Sequence, residues 1–332
     1  MSFSTSVGGA PEPTADDRPR ISLREQEQEE ARVATEAAWA ELTRLPRPTG
    51  TATELASQFG LRPIGLRPPI PEYLRQIWRR RFFVLELSRA REQAENAESR
   101  LGQFWQVLNP LLNVAVYYLI FGVLLDSKRS IPNYIAFLVI GVFVFGYTQK
   151  AMLDGARSIT SNLGIVRALH FPRAMLPLSV VVQELFTLGT SLLICVAVVL
   201  LTGEGISWTW ILIVPAVALQ TMFGLGLALT FARITERVSD VAQLLPFLAR
   251  TWLYLSGVVF SLDTFAGDHH GWVKVVLYSN PGAIYVELVR DCLMGGQPAP
   301  LLTWIGGLAW AIVGVTFGFV YFWKAEERYG RG

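Results

Sequence analysis

The stretch Glu98-Ser-Arg-Leu-Gly-Gln-Phe-Trp-Gln-Val-Leu-Asn-Pro-Leu-Leu112 divides the chain into two parts of different composition. Residues 1–106 hold 15 of the 29 Lys and Arg and 15 of the 27 Asp and Glu. Residues 107–125, in contrast, are 19 residues without a charge, which is long enough to cross a bilayer core as a helix. The stretch therefore marks the point at which a water-compatible arm becomes a membrane-spanning protein.

The composition of the 332 residues excludes several classes of protein. The chain is 52% hydrophobic and 17% charged, and its net charge of +2 gives no indication of nucleic-acid binding. Cys195 and Cys292 lack metal-ligand spacing, so neither a disulfide framework nor a zinc site is expected. The first thirty residues are polar, so we expect no cleavable signal peptide.

The region before the spans divides into an arm and an amphipathic helix. Residues 1–71 are polar and rich in proline, which predicts a cytoplasmic arm that is largely disordered or, over residues 22–45, helical. Residues 72–100 are predicted to be an interface helix. Its apolar face contains Leu74, Ile77 and Trp78, and its basic edge contains Arg75, Arg79, Arg80 and Arg81. This pattern suits the headgroup zone of a membrane, and packing against a partner protein is the alternative.

Residues 101–325 are predicted to be an all-α integral membrane domain with six spans, followed by a cytoplasmic tail at residues 326–332. The apolar runs lie at 107–125, 131–149, 174–201, 208–231, 241–261 and 302–323. Basic residues concentrate on one side, namely Lys150, Arg157, Arg167, Arg173, Arg233, Arg237 and Lys324. The positive-inside rule then predicts that both chain ends lie in the cytoplasm.

Residues 262–300 form a segment too long for a turn and too broken to span. Two short helical patterns flank Asn280-Pro281-Gly282. A re-entrant helical hairpin that enters from outside explains the apolar character and the break, and a pair of surface helices is the alternative. His269 and His270 follow Asp268 in this segment; they could form a metal site, and an exposed loop is the simpler interpretation.

Two ionisable residues are predicted inside the membrane at similar depth. Glu184 lies about ten residues into the third span and Arg250 about nine into the fifth, which corresponds to roughly 13–15 Å. Charges at such depth usually pair or face water. We therefore expect Glu184 and Arg250 to pair or to line a polar passage, and a purely structural ion pair is the alternative.

Aromatic residues concentrate on the first, second and fifth spans. Aromatic faces can stack on sugar rings while tolerating sliding, because the contact is weakly directional. Lipid-facing or packing aromatics are the alternative interpretation. The residues are Trp105, Tyr117, Tyr118, Phe143, Phe145, Tyr147, Trp252, Tyr254 and Phe260.

No catalytic motif occurs in the sequence. It lacks the Gly-x-x-x-x-Gly-Lys-Ser/Thr phosphate loop, and no Ser–His–Asp or Cys–His grouping can be argued. The chain is therefore expected not to be an enzyme and to hold no cofactor of its own.

Four motifs resemble those of one family. Residues 99–111 resemble the Ser-x-Leu-Gly-x-x-Trp-x-x-Leu-x-Pro signature of polysaccharide ABC exporter permeases, the O-antigen and teichoic-acid export family. Residues 162–177 look like that family's inner loop, residues 237–246 like its entry to the fifth span, and Asn280-Pro281 with Glu287-Leu-Val-Arg290 like its outer hairpin. The resemblance covers about residues 72–325. The charged insertion 88–98 and the long arm resemble the actinobacterial branch, whose cargo would be a lipid-linked galactan.

The resemblance implies a half-transporter in the plasma membrane of a bacterium. Two copies would form the pore, and two separate ATPase subunits, which hold ATP and Mg, would bind inside. A polyprenyl-pyrophosphate-linked glycan for cell wall biogenesis would be the cargo, and the aromatic residues above would line its channel. The gate helix would comprise Tyr73, Ile77, Trp78, Arg79, Arg80 and Arg81, with its elbow at Gly102. Coupling to the ATPase would use Ser158, Asn162, Leu163, Val166, Arg167, His170, Phe171 and Arg173, and the outer hairpin would use Asn280, Pro281, Glu287 and Arg290.

The leading hypothesis is therefore the permease subunit of an ATP-driven exporter of an undecaprenyl- or decaprenyl-linked glycan. The second hypothesis is an ABC exporter of a drug or lipid, which has the same number of spans. A membrane glycosyltransferase would need paired carboxylates, and the outer Asp263, Asp268, Glu287 and Asp291 lack a DxD-like pairing. A scaffold without transport is disfavoured by the charges within the spans.

Overall fold

A computed structural model describes residues 23–44, 51, 68–97, 103–125, 131–169, 171–261, 271–294, 298–327 and 329, and within these ranges it contains helices and no strand. Residues Met1–Ile64 and Gly65–Gly332 form two compact units. In the first unit, α1 (Leu23–Arg44) is exposed at each described side chain and carries the surface pair Arg32–Glu29 at 2.7 Å. The helix predicted over residues 22–45 is confirmed.

The helices of the second unit are α2 (Ile70–Arg79), α3 (Arg81–Ala97), α4 (Gln103–Tyr117), α5 (Tyr134–Arg157), α6 (Leu163–Ala168), α7 (Met175–Leu201), α8 (Ile213–Arg237), α9 (Val241–Leu255), α10 (Gly271–Tyr278), α11 (Pro281–Met294) and α12 (Leu301–Trp323). A π-helix, Tyr118–Leu124, continues α4, and short 3₁₀ helices lie at Thr160–Asn162 and Trp208–Leu212.

The expected interface helix is divided in two at Arg80. This residue has φ −101° and ψ 20°, and its N–H donates to the carbonyls of Gln76 and Ile77 at 3.2 and 3.1 Å. α2 and α3 are therefore separate helices with different faces. α3 is held to α7 by the buried Ser88 hydroxyl, which donates to the Ser179 carbonyl at 2.7 Å.

Five helical segments in the described ranges are long and apolar enough to cross a membrane. They are Val107–Leu124, Tyr134–Arg157, Met175–Leu201, Trp208–Arg237 and Leu301–Trp323. The second ends eight residues later than expected, because the helix continues through Lys150 to Arg157. Lys150 is therefore part of a helix that is long and apolar enough to cross a membrane, and not of a loop.

The helix in the run expected as the fifth span is shorter than predicted. α9 ends at Leu255, and Gly257 adopts a left-handed φ of 64°, which terminates helices readily because glycine has no Cβ. Its 15 residues cover about 22 Å, less than the roughly 30 Å of a bilayer core. Residues 256–261 then continue without helix.

The break predicted at Asn280-Pro281-Gly282 is confirmed, since α10 ends at Tyr278 and α11 begins at Pro281. α11 starts beside the middle of α5, where a Cβ on Gly282 would lie 3.0 Å from the Phe145 ring. It ends near the start of α8, where the Thr209 hydroxyl donates to the Cys292 carbonyl at 2.7 Å. α11 is buried along most of its length, so α10 and α11 are not a pair of surface helices.

The core is centred on α5 and α8. α8 packs closely against α12 because Gly226 faces Gly314 and Gly318, and a Cβ on Gly226 or Gly318 would collide with the facing backbone. Gly314 and Gly318 form a Gly-x-x-x-Gly pattern, which favours close packing of helices in membranes. α4 and its π-helical continuation are mostly exposed.

One end of this bundle is rich in cations, and we call it the basic end. It is the end at which α5, α8 and α12 finish, with Arg157, Arg237 and Lys324, and at which α7 begins after Arg173. α2 lies at this end, as the contacts of Tyr73 described below show.

Candidate functional site

Three segments that are far apart in the chain meet in a buried polar cluster at the basic end. The Tyr73 hydroxyl of α2 donates to Glu326 Oε2 at 2.7 Å and accepts the Ala174 N–H at 3.1 Å. The Arg173 N–H donates to Glu326 Oε1 at 2.9 Å, and its guanidinium donates to the Glu326 carbonyl at 2.7 Å. We call Tyr73, Arg173, Ala174 and Glu326 the basic-end cluster. It joins the interface helix, the loop before α7 and the segment after α12.

Burial controls the electrostatics of this cluster. Tyr73 is 1% exposed and Glu326 5% exposed. Burial raises the pKa of the Glu326 carboxyl, while the Arg173 N–H, the Tyr73 hydroxyl and the Arg173 charge each lower it. The pKa of Tyr73 is well above its ordinary value, first through burial and then through the Glu326 charge. Tyr73 therefore keeps its proton and donates a hydrogen bond to the carboxylate.

The loop expected to contact an ATPase forms a compact structure between α5 and α7. Asn162 Nδ2 donates to the Ser158 carbonyl at 2.8 Å, which closes the 3₁₀ turn. Val166 of α6 is buried in the same apolar cluster as Tyr73. Leu163, Arg167, Phe171 and Arg173 range from half-buried to exposed, and Ser158 is buried. The loop therefore presents its outer side while its inner side packs towards α2.

The other predicted gate residues separate into a packed side and an exposed side. Ile77 packs against the apolar cluster that contains Tyr73. Trp78 is 71% exposed, and the arginines that follow it, Arg79, Arg80 and Arg81, are exposed as well. The Arg81 guanidinium lies 5.4 Å from the Trp78 ring centroid and 4.6 Å from that of Phe82. An exposed aromatic and cationic edge of this kind suits a membrane surface.

The expected pairing of Glu184 with Arg250 is wrong. Glu184 is 4% exposed, and the ion pair that forms joins its Oε2 to Lys150 Nζ at 3.6 Å. Arg250 is exposed, and it lies about 100° around α9 from the buried face formed by Leu245, Ala249 and Leu253. The expectation matched the two residues by depth alone, but a pair also requires that both side chains point towards each other.

Neutral polar residues of α5 and α8 form a group of hydrogen bonds that was not anticipated from the sequence. Gln220 Nε2 donates to the Val144 carbonyl and to the Thr148 hydroxyl, both at 2.8 Å. The Tyr147 hydroxyl donates to the Thr221 hydroxyl at 3.0 Å. The sequence did contain a signal for this group, because Thr148 and Gln220 are uncharged polar residues within apolar runs.

The nine aromatic residues expected along a channel do not form one surface in the chain. Phe143, Phe145 and Tyr147 are 4%, 1% and 3% exposed. Phe145 lies edge-on to Trp252 at 5.3 Å, inside the core, and Tyr118 packs on Tyr134 at 6.1 Å. These five residues therefore stabilise packing within the chain, and two of them, Tyr118 and Trp252, remain half-buried.

A second aromatic group lies at the surface. Tyr117, Phe121 and Tyr254 contact one another with ring centroids 6.4 Å apart, across α4, its π-helical continuation and α9. Tyr254 is 38% exposed and Trp105 42% exposed, while Phe260 is half-buried. Arg250 lies within electrostatic range of the Tyr117 hydroxyl. Part of the predicted aromatic set thus faces outward beside an exposed cation.

Arg290, predicted in the outer hairpin, is buried in the core with 3% exposure. Its guanidinium donates to the carbonyls of Gly257 and Val258 at 2.9 Å and to that of Phe137 at 3.2 Å. It also donates to Glu287 Oε1 at 3.0 Å. Arg290 therefore joins the non-helical residues after α9 to α5 and α11, and it supplies donors to the Gly257 and Val258 carbonyls, which lie outside the helices.

Asn280 performs a similar joining role at the start of α11. Its Oδ1 accepts the Gly282 N–H at 3.0 Å as an N-cap and the Trp252 Nε1–H at 2.7 Å. Its Nδ2 donates to the Leu255 carbonyl at 2.9 Å. Pro281 occupies the first helical position, which suits its fixed φ. Asn280 thus fixes the angle between α9 and α11.

Some predicted site residues lie outside the described residues, namely Gly102, His170, His269 and His270. Within the described ranges, no group of three or more His, Cys, Asp or Glu is arranged to hold a metal ion.

Comparison with known proteins identifies the family. Residues 90–294, more than half of the chain, match the family model described as ABC-2 type transporter. The chain belongs to the ABC-2 type transporter family. An O-antigen export system permease protein RfbA of Klebsiella pneumoniae is 27% identical over 199 residues, which cover 60% of this chain and 74% of the relative. A protein of the same name from Myxococcus xanthus is 27% identical over 191 residues, covering 58% and 73%.

Family membership determines the general role. An ABC-2 permease is the membrane subunit of a transporter and not an enzyme, and it functions with an ATPase subunit. This ABC-2 permease is accordingly a multi-pass protein of the plasma membrane. Tyr73 and Glu326 lie outside the matched residues, so the basic-end cluster joins the ABC-2 region to flanking segments.

Proposed function

We propose that this ABC-2 permease exports a lipid-linked polysaccharide from the cytoplasm to the outer face of the plasma membrane, driven by a separate ATPase that binds ATP and Mg. The similarity to O-antigen export permeases supports a polysaccharide as the cargo. The four sequence motifs between residues 99 and 290 support the same assignment. A galactan or another cell wall glycan on a polyprenyl pyrophosphate is the cargo that we infer.

The basic-end cluster is the observation that carries this proposal. The loop 155–173 is the segment proposed to contact the ATPase. Arg173 at its end bonds to Glu326, and Ala174 directly after it bonds to Tyr73. A displacement of the loop by the ATPase would therefore be transmitted to α2 at the membrane surface. A change in one element that shifts another in this way is the requirement for coupling nucleotide state to substrate entry.

We infer a topology of six membrane segments with both chain ends in the cytoplasm. The concentration of cations at the basic end supports this orientation. α9 would be the fifth segment, and α10 with α11 would form a hairpin that enters from outside. The start of α11 beside Phe145 and its end beside Thr209 support a hairpin that reaches the middle of the bundle.

We infer that two copies of the chain enclose the pathway. The outward face of α4 and α9 is apolar and aromatic, and it includes Val116, 53% exposed, and Phe247, 71% exposed. Tyr117 and Tyr254 lie on this face beside Arg250. Such a surface would provide stacking planes for sugars and a cation for a pyrophosphate.

The test is depletion of the permease in its own bacterium. We expect the surface glycan to fall while its lipid-linked precursor accumulates on the cytoplasmic side. The sugar composition of that precursor would identify the cargo. Normal surface glycan after complete depletion would contradict the proposal. A change in drug efflux or phospholipid asymmetry without a change in glycan would favour the alternative, an exporter of a drug or lipid.

A further inference from the structure

A groove at the basic end is not explained by the transport of a glycan. It has a volume of about 440 Å³, within the range of roughly 300–1,000 Å³ that is typical of ligand sites. Leu74 and Ile77 of α2 form one wall, and Leu229 of α8 and Phe319 of α12 form others. Among its described lining residues, Thr316 is the polar member. The groove therefore suits a hydrocarbon.

The depth of the groove matches the region of acyl chains. Leu229 lies one helical turn before Arg233, and Val320 lies one turn before Lys324. Leu225 and Thr316 lie two turns before the same cations. At 1.5 Å per residue, the lining therefore extends from about 6 to 12 Å beyond the level of the cations. A lipid whose phosphate meets these cations would place its chain at this depth.

Two exposed cations at the edge of the groove, Arg75 and Lys324, can meet the phosphate of an anionic headgroup. Arg75 follows Leu74 directly, and both Arg75 and Lys324 are exposed. Arg233 is half-buried and stacks on the Tyr321 ring at 3.9 Å. Four acids lie close in sequence to these cations or to α2. Glu326 is engaged with Tyr73 and Arg173, and Glu72, Glu236 and Glu327 are half-buried or exposed. Cations near a membrane surface attract anionic lipids.

A peptide segment is a poorer occupant than a hydrocarbon chain. Each residue of a peptide brings a backbone donor and acceptor that need partners when buried. The lining offers the Thr316 hydroxyl and otherwise apolar side chains, so a buried peptide would leave polar groups unpaired. An acyl chain carries no such cost.

We propose that this groove binds one acyl chain of an anionic membrane phospholipid, with the phosphate beside Arg75 and Lys324. The lipid fills the space between α2 and the spanning helices and holds α2 at the membrane surface. This proposal does not depend on the identity of the cargo or on the direction of transport.

The first test fills the groove. Thr316→Trp places a large side chain in it, and Leu308→Trp places the same side chain on an exposed site of α12 about 12 Å away along the axis. The full-length variants are purified in detergent with repeated washing, and the retained phospholipid is quantified by mass spectrometry. We expect Thr316→Trp to retain at least tenfold less phosphatidylglycerol than the unaltered protein, and Leu308→Trp to retain as much. Equal retention in all three proteins would overturn the proposal.

The second test changes the rim and leaves the groove intact. Arg75→Gln and Lys324→Gln alter exposed residues, so the protein is expected to fold. Phosphatidylglycerol is compared with phosphatidylcholine for binding to the washed protein. We expect the preference for phosphatidylglycerol to fall about fivefold for each cation removed. An unchanged preference would overturn the assignment of the headgroup. Displacement of the lipid by an equimolar polyprenyl phosphate, with loss of this competition in Thr316→Trp, would assign the groove to a polyprenyl carrier and overturn the phospholipid proposal.

Discussion

The hydroxyl of Tyr73 donates a 2.7 Å hydrogen bond to Oε2 of Glu326, a residue 253 positions later in the chain. The other carboxylate oxygen accepts the Arg173 N–H. One buried side chain therefore connects the interface helix α2 with the loop that precedes α7. Disturbing this connection should separate the two activities of the transporter, which are ATP hydrolysis and movement of cargo.

Tyr73→Phe removes the hydroxyl and leaves the Ala174 N–H and Glu326 Oε2 without their partner. We expect a destabilisation of about 1–3 kcal/mol, because buried polar groups become unpaired. We also expect export to fall severalfold, while the assembled complex retains its ATPase activity. The measurements are thermal unfolding and the ratio of glycan exported to ATP hydrolysed.

Tyr321→Phe is the matched control for this prediction. It also removes one hydroxyl near the basic end, but the ring that stacks on Arg233 remains. Its export ratio should equal that of the unaltered protein. If Tyr73→Phe gave the same export ratio as this control, the basic-end cluster would have no part in coupling.

The pH dependence of stability should change in Glu326→Gln. Burial raises the pKa of Glu326 in the folded protein, so the folded state binds more protons than the unfolded state. The unfolding free energy therefore falls as the pH rises from about 4.3, the ordinary Glu value, through the raised pKa. Glu326→Gln cannot titrate, and its curve of unfolding midpoint against pH should be flatter in this window. Parallel curves for the two proteins would show that the carboxyl titrates normally.

Arg290→Met should be strongly destabilising. The substitution leaves the carbonyls of Phe137, Gly257 and Val258 without their side-chain donor and Glu287 without its cation. Removal of one member of a buried charged network costs about 3–5 kcal/mol. Arg290→Lys should recover only part of this, because an ammonium lacks the planar fork of the guanidinium. Stability is measured by thermal unfolding in detergent and by the yield of monodisperse protein.

Arg250→Met is the control for Arg290, because it removes an exposed arginine from α9. Surface substitutions usually alter stability by no more than about 0.5 kcal/mol. A loss of stability in Arg290→Met no larger than that in Arg250→Met would show that the buried carbonyls do not depend on Arg290.

Gly318→Ala and Gly189→Ala should have effects of opposite sign. A Cβ at Gly318 would collide with the backbone of Gly226, and overpacking costs about 1–3 kcal/mol. A Cβ at Gly189 meets open space in α7, where alanine favours the helix by about 0.5–1 kcal/mol. The difference between the two unfolding midpoints measures the close contact of α8 with α12. Equal shifts would mean that this contact is not tight.

The distinction between local and long-range features explains what could be predicted. The spans at Tyr134–Arg157, Met175–Leu201 and Leu301–Trp323 were recognisable because apolar length is a property of contiguous residues. The break at Asn280-Pro281 was recognisable for the same reason, since a side-chain cap and a proline are local signals. The four family motifs, also contiguous, indicated the ABC-2 assignment.

By itself, then, the sequence determined which runs are apolar and long enough to cross a membrane, where the break at Asn280-Pro281 lies, and which family the chain belongs to. Only the tertiary structure decided that Glu184 meets Lys150, that Arg290 joins α9 to α5 and α11, and that Tyr73 reaches Glu326. Such pairs depend on the direction of each side chain, which turns about 100° per residue around a helix. They also depend on which helices are neighbours. Neither quantity is contained in the depth or spacing of residues along one span.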